Sequence, residues 1–196
     1  MKELCKKIYD ALYRDGSLQT AAIIVGLIVL VLHVLALVKP APAMAKLKAA
    51  PRSQNFGTIV LTLDFIWAYV VATAVDLGDF ERLRWLAQFS VPVIYVAMLF
   101  WVNEYLGARA IGIFLLLACC PVLDAAWMKS DTRWVLNLGI YAWITLGLFW
   151  IGMPYTMRDN ITWATRTAGR FKALALAGTA YGALLLVLAL TVWRGR

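Results

Sequence analysis

Long uninterrupted apolar runs, rather than alternation or a one-sided helical stripe, dominate this chain. Six are long enough to cross a bilayer: 21–38, 57–75, 86–102, 108–127, 134–153 and 171–193. About 20 residues, rising about 1.5 Å each, cover a hydrocarbon core of about 30 Å. The pattern predicts an all-α, polytopic integral membrane protein, with one domain over 17–196 built as a bundle of about six transmembrane helices. Residues 1–16 read differently. Leu4, Ile8, Ala11 and Leu12 recur at three- and four-residue spacing, and Lys6, Lys7, Asp10 and Arg14 cover the other side. This is a short amphipathic helix, suited to a membrane surface or to a docking partner, with Gly16 as its stop.

The connections refine the picture. The link 103–107 is so short that spans three and four are expected to form a tight hairpin, with a re-entrant pair as the alternative. Pro92 and Pro121 lie inside those two spans. Seven tryptophans, at 85, 101, 127, 134, 150, 163 and 193, fall near predicted span ends, where indoles favour the interface. Trp67 and Trp143 fall mid-span and read as packing. The apolar run at 21–38, followed by Ala43-Met44-Ala45, resembles a signal peptide. Its length and its acidic leader, with Glu3, Asp10 and Asp15, favour a retained anchor. In a six-span arrangement the loops 39–56 and 154–170 share one side. That side holds nine Lys and Arg residues and the side of the termini holds ten, so the positive-inside rule leaves orientation undecided.

Composition agrees with a lipid solvent. Of 196 residues, 63% are hydrophobic and 15% charged, against about 45–50% and 25% in soluble domains. The net charge of +8 falls between the apolar spans. It therefore suits anionic lipid headgroups, and no basic stripe interleaved with stacking aromatics speaks for nucleic acid. Membrane lipids, a membrane-protein partner or a second copy are the expected partners. A plasma membrane, of the bacterial inner type, is the expected location. Cys5, Cys119 and Cys120 show no disulfide or zinc spacing.

Charge at membrane depth is costly and usually pairs, faces a cavity or does work. Asp64 lies about 10 Å below the start of span two, and Glu104 and Arg109 flank the short link on the same side. An Asp64–Glu104–Arg109 cluster is the first expectation. Asp124, about 22 Å further along span four than Arg109, belongs near the other surface, where Asn137 makes a second polar station. Lys46, Lys48, Arg52, Arg158, Arg166 and Arg170 are expected to face headgroups. Gly178 and Gly182 form a small-residue spacing that lets a helix approach closely, and an intrachain partner is favoured over a second protomer. His33, the single histidine, reads as a hydrogen-bonded residue near the end of span one rather than a cofactor ligand.

No cofactor, metal site or catalytic residue is expected. One histidine excludes an HExxH pair, and no GxSxG elbow occurs. Three functions rank in order. The first is a small accessory or scaffolding subunit of a membrane assembly. The second is a transporter or channel component using Asp64, Glu104, Arg109 and Asp124, weakened by the lack of an inverted repeat. The third is a membrane enzyme acting on a lipid or quinone.

Overall fold

Hydroxyl caps, not the first apolar residue, set where three of the long helices begin. The computed structural model describes residues 2–102 and 104–195. The Ser17 side chain accepts from the Thr20 amide, Ser53 from Phe56 and Thr167 from Arg170. Each satisfies an amide that the first helical turn leaves without a partner. Helices α2 (Leu18–Val38), α4 (Gln54–Ala74) and α9 (Ala168–Thr191) consequently start three residues before the apolar runs do. The remaining elements are α1 (Lys2–Tyr9), α3 (Pro40–Ala49), α5 (Arg84–Phe100), α6 (Leu106–Ala126), α7 (Trp134–Gly152) and α8 (Tyr155–Ala164). No strand occurs among the described residues. Six helices, α2, α4, α5, α6, α7 and α9, are long and apolar enough to cross a membrane, α5 and α7 together with a 3₁₀ turn before each. Pro92 and Pro121 lie within continuous helices.

Glycines decide which helices touch. A Cβ on Gly182 of α9 would lie 2.7 Å from the Leu30 amide nitrogen and 3.0 Å from the Gly26 carbonyl oxygen of α2. Gly112 of α6 and Gly147 of α7 face each other in the same way, each hypothetical Cβ 2.9 Å from the other residue's carbonyl oxygen. One turn before Gly182, the ring of His33 occupies the place of a Gly178 side chain. The His33 Nδ1 lies 2.7 Å from the Val29 carbonyl. The small-residue spacing on α9 thus packs against α2 of the same chain. Leu18, Ala22, Leu136, Ile140, Leu185 and Ala189 fill the core that α2, α6, α7 and α9 enclose.

Trp193 belongs to this core rather than to an interfacial belt. It is fully buried, and its indole N–H donates to the Thr132 hydroxyl at 2.9 Å. The indole hydrogen bond supplies at the end of the chain what headgroup water would supply at a surface.

On the other flank α4 packs on α6, and α5 packs along α4. Arg84 fastens the α4–α5 turn by donating to the carbonyls of Thr73 and Val75 at 2.6 and 2.7 Å, while Glu81 holds its guanidinium. These are carbonyls that the last turn of α4 leaves open. In place of a tight hairpin between α5 and α6, α5 packs chiefly along α4 and meets α6 through Met98 and Leu99, which share a core with Leu106 and Ala110.

The N-terminal helix docks on the bundle by its polar-aromatic edge. It runs through a π-helical turn, Asp10–Arg14, and packs on α4 and α6. Its buried residue is Cys5, whereas Leu4, Ile8 and Leu12 stay exposed. Tyr13 accepts a 3.0 Å hydrogen bond from the Trp67 indole, whose ring meets Phe114 edge-on. The polar-aromatic edge of this helix therefore faces the bundle, and its apolar stripe faces outward.

Gly182→Val is expected to destabilise by about 1–3 kcal/mol, because α2 and α9 must separate to admit the side chain. Gly169→Ala, which meets open space, is expected to be close to neutral. Denaturant unfolding of both variants in detergent checks the contrast.

Candidate functional site

Asp64 stands at the midpoint of α4. It is 1% exposed, and neither carboxyl oxygen has a hydrogen-bond partner among the described residues. Its helix face explains the burial: Leu61 and Asp64 lie one turn apart on the side that meets α5 and α6. The carboxyl lines a cleft of about 150 Å³ between those three helices. Leu61, Phe65, Val91, Tyr95 and Ile113 form most of its apolar wall. The only polar couple beside it, the 2.9 Å hydrogen bond between the Thr62 and Tyr95 hydroxyls, satisfies those two groups and leaves the acid alone.

Arg109 does not supply the missing partner. Its Nη1 donates to the Ile151 carbonyl at the end of α7, at 2.7 Å, and its Nε reaches the Glu104 carbonyl at 3.5 Å. Glu104 is exposed, and it meets Arg109 through its backbone. The Asp64–Glu104–Arg109 hydrogen-bonded cluster is therefore not assembled. Position along the helix axis was favourable, but Arg109 sits on the face of α6 that packs on α7, while Asp64 faces the α5 side.

The second polar station is divided as well. Asp124 is exposed at the end of α6, close enough to Tyr13 to disfavour ionisation of that phenol. Asn137 lines a separate groove of about 430 Å³ with Asp131, Arg133 and Tyr141, and its Oδ1 has no partner among the described residues.

The opposite end of the bundle gathers the basic residues. The two short helices α3 and α8 touch there, each beginning beside a proline whose fixed φ suits a first turn. Between them lies a groove of about 590 Å³ lined by Lys48, Asp159, Thr162, Trp163, Thr165 and Arg166. Lys46 is exposed on α3. Arg170 stacks over the Trp163 ring at 4.9 Å and donates to the Trp163 carbonyl. Arg52, in the 3₁₀ turn Ala50–Arg52, donates to the Tyr105 phenol at 2.8 Å and lies over its ring at 5.1 Å. Arg158 reaches the same phenol oxygen at 3.4 Å while its Nη2 pairs with Asp159 at 2.7 Å. The hydrogen bond from Arg52, more than anything else, pulls the Tyr105 hydroxyl below its ordinary pKa.

Tyr105 went unnoticed in the sequence. Its signal is conformational: φ is 54° and ψ 38°, the left-handed region that few non-glycine residues adopt. That conformation turns the chain into α6 and brings the ring beneath two arginines. Gly107 completes the arrangement, because the Ala50 carbonyl lies where its side chain would be. This contact fixes the turn carrying Arg52 against the start of α6.

Among the described residues no group of three or more His, Cys, Asp or Glu side chains converges as a metal site. No protein family, curated protein or solved structure matches the chain.

Two outcomes follow from the buried groups. An unpartnered buried carboxyl costs its desolvation, so Asp64→Leu is expected to raise the stability of the isolated chain by about 1–3 kcal/mol, read by denaturant unfolding in detergent. Burial, opposed by the Trp67 hydrogen bond, pushes the Tyr13 phenol from its ordinary 10.0 up to about 12. The folded chain then holds that proton after the unfolded chain has lost it. Stability falls as pH rises from 10.0 to about 12, and Tyr13→Phe is expected to flatten this part of the profile.

Proposed function

We propose that this chain is an integral membrane protein crossing the bilayer six times, and that it serves as a small accessory or scaffolding subunit of a membrane assembly. The observation that carries the reading is Asp64: a mid-helix carboxyl, buried in an apolar cleft, for which the described part of the chain provides no hydrogen-bond partner. In hydrocarbon such a group is retained at a cost, and a partner on a second chain removes that cost. The cleft between α4, α5 and α6 is then the surface that meets the other chain, and α5, held mainly by α4, is the helix able to adjust. Both a different membrane protein and a second copy satisfy this reading, provided they bring a basic or hydrogen-bond-donating group. A plasma membrane of the bacterial inner type is the proposed location.

Transport is the weaker reading. A path for ions needs successive polar stations. Asp64, Asn137 and the basic groove line three separate cavities, and Arg109 is engaged by a backbone carbonyl. A reaction on a lipid or quinone is weaker still, because no second titratable side chain lines the Asp64 cleft apart from the Tyr95 phenol, which is hydrogen-bonded to Thr62.

Gently solubilised native membranes and purified protein in vesicles test the reading together. The chain is expected to run in a complex of fixed stoichiometry, and Asp64→Leu is expected to release it while leaving it folded. The reconstituted chain alone is expected to carry no proton or cation flux beyond that of protein-free vesicles. A flux that Asp64→Asn abolishes, in a chain that runs alone, would establish transport instead.

A further inference from the structure

The clasp of Arg52, Tyr105 and Arg158 has the composition of an anion site. The nearest guanidinium nitrogens of Arg52 and Arg158 each contact the phenol oxygen, at 2.8 and 3.4 Å, so they are no further apart than the sum of those distances. Two cations so placed repel unless negative charge is shared between them. Asp159 neutralises part of this charge. It holds the Nε and Nη2 of Arg158 and leaves Nη1 directed at Tyr105. Arg52 has no carboxylate partner among the described residues; its contacts are the phenol oxygen and ring of Tyr105. A guanidinium is always charged, and its planar fork matches two oxygens of a phosphate.

The surroundings extend the same chemistry. The groove between α3 and α8 adjoins the clasp through Asp159 and adds Lys48, Arg166 and the Thr162 hydroxyl. Trp163 forms its apolar wall, braced by the stacked Arg170. Phosphate, hydroxyls and an apolar edge thus have separate places within one groove of about 590 Å³. Its position at the ends of the long helices is the depth at which lipid headgroups lie. The opposite end does not reproduce it: there Arg84 is engaged by Glu81 and helix carbonyls, and Arg133 reaches the Ser130 carbonyl.

We propose that Arg52, Arg158 and Tyr105 bind the headgroup phosphate of an anionic phospholipid, whose polar remainder lies in the groove between α3 and α8. Arg52 and the Nη1 of Arg158 that faces Tyr105 take the phosphate oxygens, and the Tyr105 hydroxyl rotates to donate a third hydrogen bond. Lys48 and Arg166 raise the local anion concentration. The geometry is held from behind by Gly107, so its function is positional. This site is separate from Asp64: it rests on the proposed membrane placement but not on the accessory-subunit reading.

The test is lipid retention by the full-length protein. The chain is purified from vesicles mixing phosphatidylglycerol with phosphatidylcholine, and bound lipid is measured by native mass spectrometry. Preferential retention of phosphatidylglycerol is expected. Arg52→Gln with Arg158→Gln is expected to lower that preference roughly tenfold, as loss of charge-assisted hydrogen bonds implies. Arg52→Lys, which keeps the charge and loses the fork, is expected to fall between the two. Its unchanged unfolding midpoint separates a lost site from a lost fold. Lys129→Gln with Arg133→Gln, at the other end of the bundle, is expected to leave retention unchanged. An equal loss from both double variants would show general surface attraction and overturn the site. Displacement of the lipid by millimolar inorganic phosphate would assign the clasp to free phosphate and overturn the lipid.

Discussion

Backbone contact at glycine is the constraint on which the arrangement depends. In hydrocarbon, apolar side chains gain little by leaving lipid for one another, so helix association rests on close packing and on the few hydrogen bonds that close packing permits. The pairs Gly26–Gly182 and Gly112–Gly147 bring backbones together at the α2–α9 and α6–α7 crossings. At the basic end, a Cβ on Gly57 would lie 2.7 Å from the Gly107 amide nitrogen. Gly107 in turn receives the Ala50 carbonyl. These contacts join α2 to α9, α6 to α7 and α4 to α6, and leave α5 as the long helix without one. The cleft and the buried acid lie where α5 meets α4 and α6, and no glycine pair draws α5 onto α6.

Helix number and approximate extent were legible in the sequence because apolar runs of bilayer length have few alternatives. Helix starts were misplaced by three residues at α2, α4 and α9, although the capping Ser17, Ser53 and Thr167 were visible. An apolar window is insensitive to a hydroxyl one turn upstream. The N-terminal helix was legible as a helix, but the contact that docks it was not. Its hydrophobic stripe identifies a face that suits lipid, while the Tyr13–Trp67 hydrogen bond that docks the other face joins residues 54 positions apart. Trp193 misled for a related reason: an indole near a span end suits the interface or a capped core, and the deciding hydroxyl of Thr132 lies 61 positions away.

Candidate residues divide along the same line. Depth in the bundle is a one-dimensional property: the helical rise puts Asp64 well inside its helix, and the alternation of six spans puts the loops carrying the six basic residues on one side. Pairing is three-dimensional. Arg109 and Asp64 are expected toward the same side, close enough for a long arginine to reach, yet Arg109 meets Ile151 and Asp64 meets a cleft, because rotation about each helix axis depends on neighbours that composition does not name. The clasp was hidden for a third reason. Tyr105 lies in a link without periodicity, and its left-handed backbone is the feature that makes it converge with Arg52 and Arg158.

Arg109, Asp64 and Arg52 show different ways of holding charge in a bundle of apolar helices. Arg109 shows what a purely structural charge looks like here: it is spent on the carbonyl at the end of a neighbouring helix, where both groups gain and neither remains open. Arg84 is spent the same way at the end of α4. Asp64 departs from that pattern in the least tolerant part of the chain, since a leucine in its place would fill the cleft without any unsatisfied group. Arg52 departs from it at the opposite extreme, at the surface, where a glutamate nearby would have been a cheap remedy. Stability within the chain accounts for neither group: a carboxyl without a hydrogen-bond partner among the described residues, and a guanidinium that Gly107 and a left-handed tyrosine hold in place without a carboxylate.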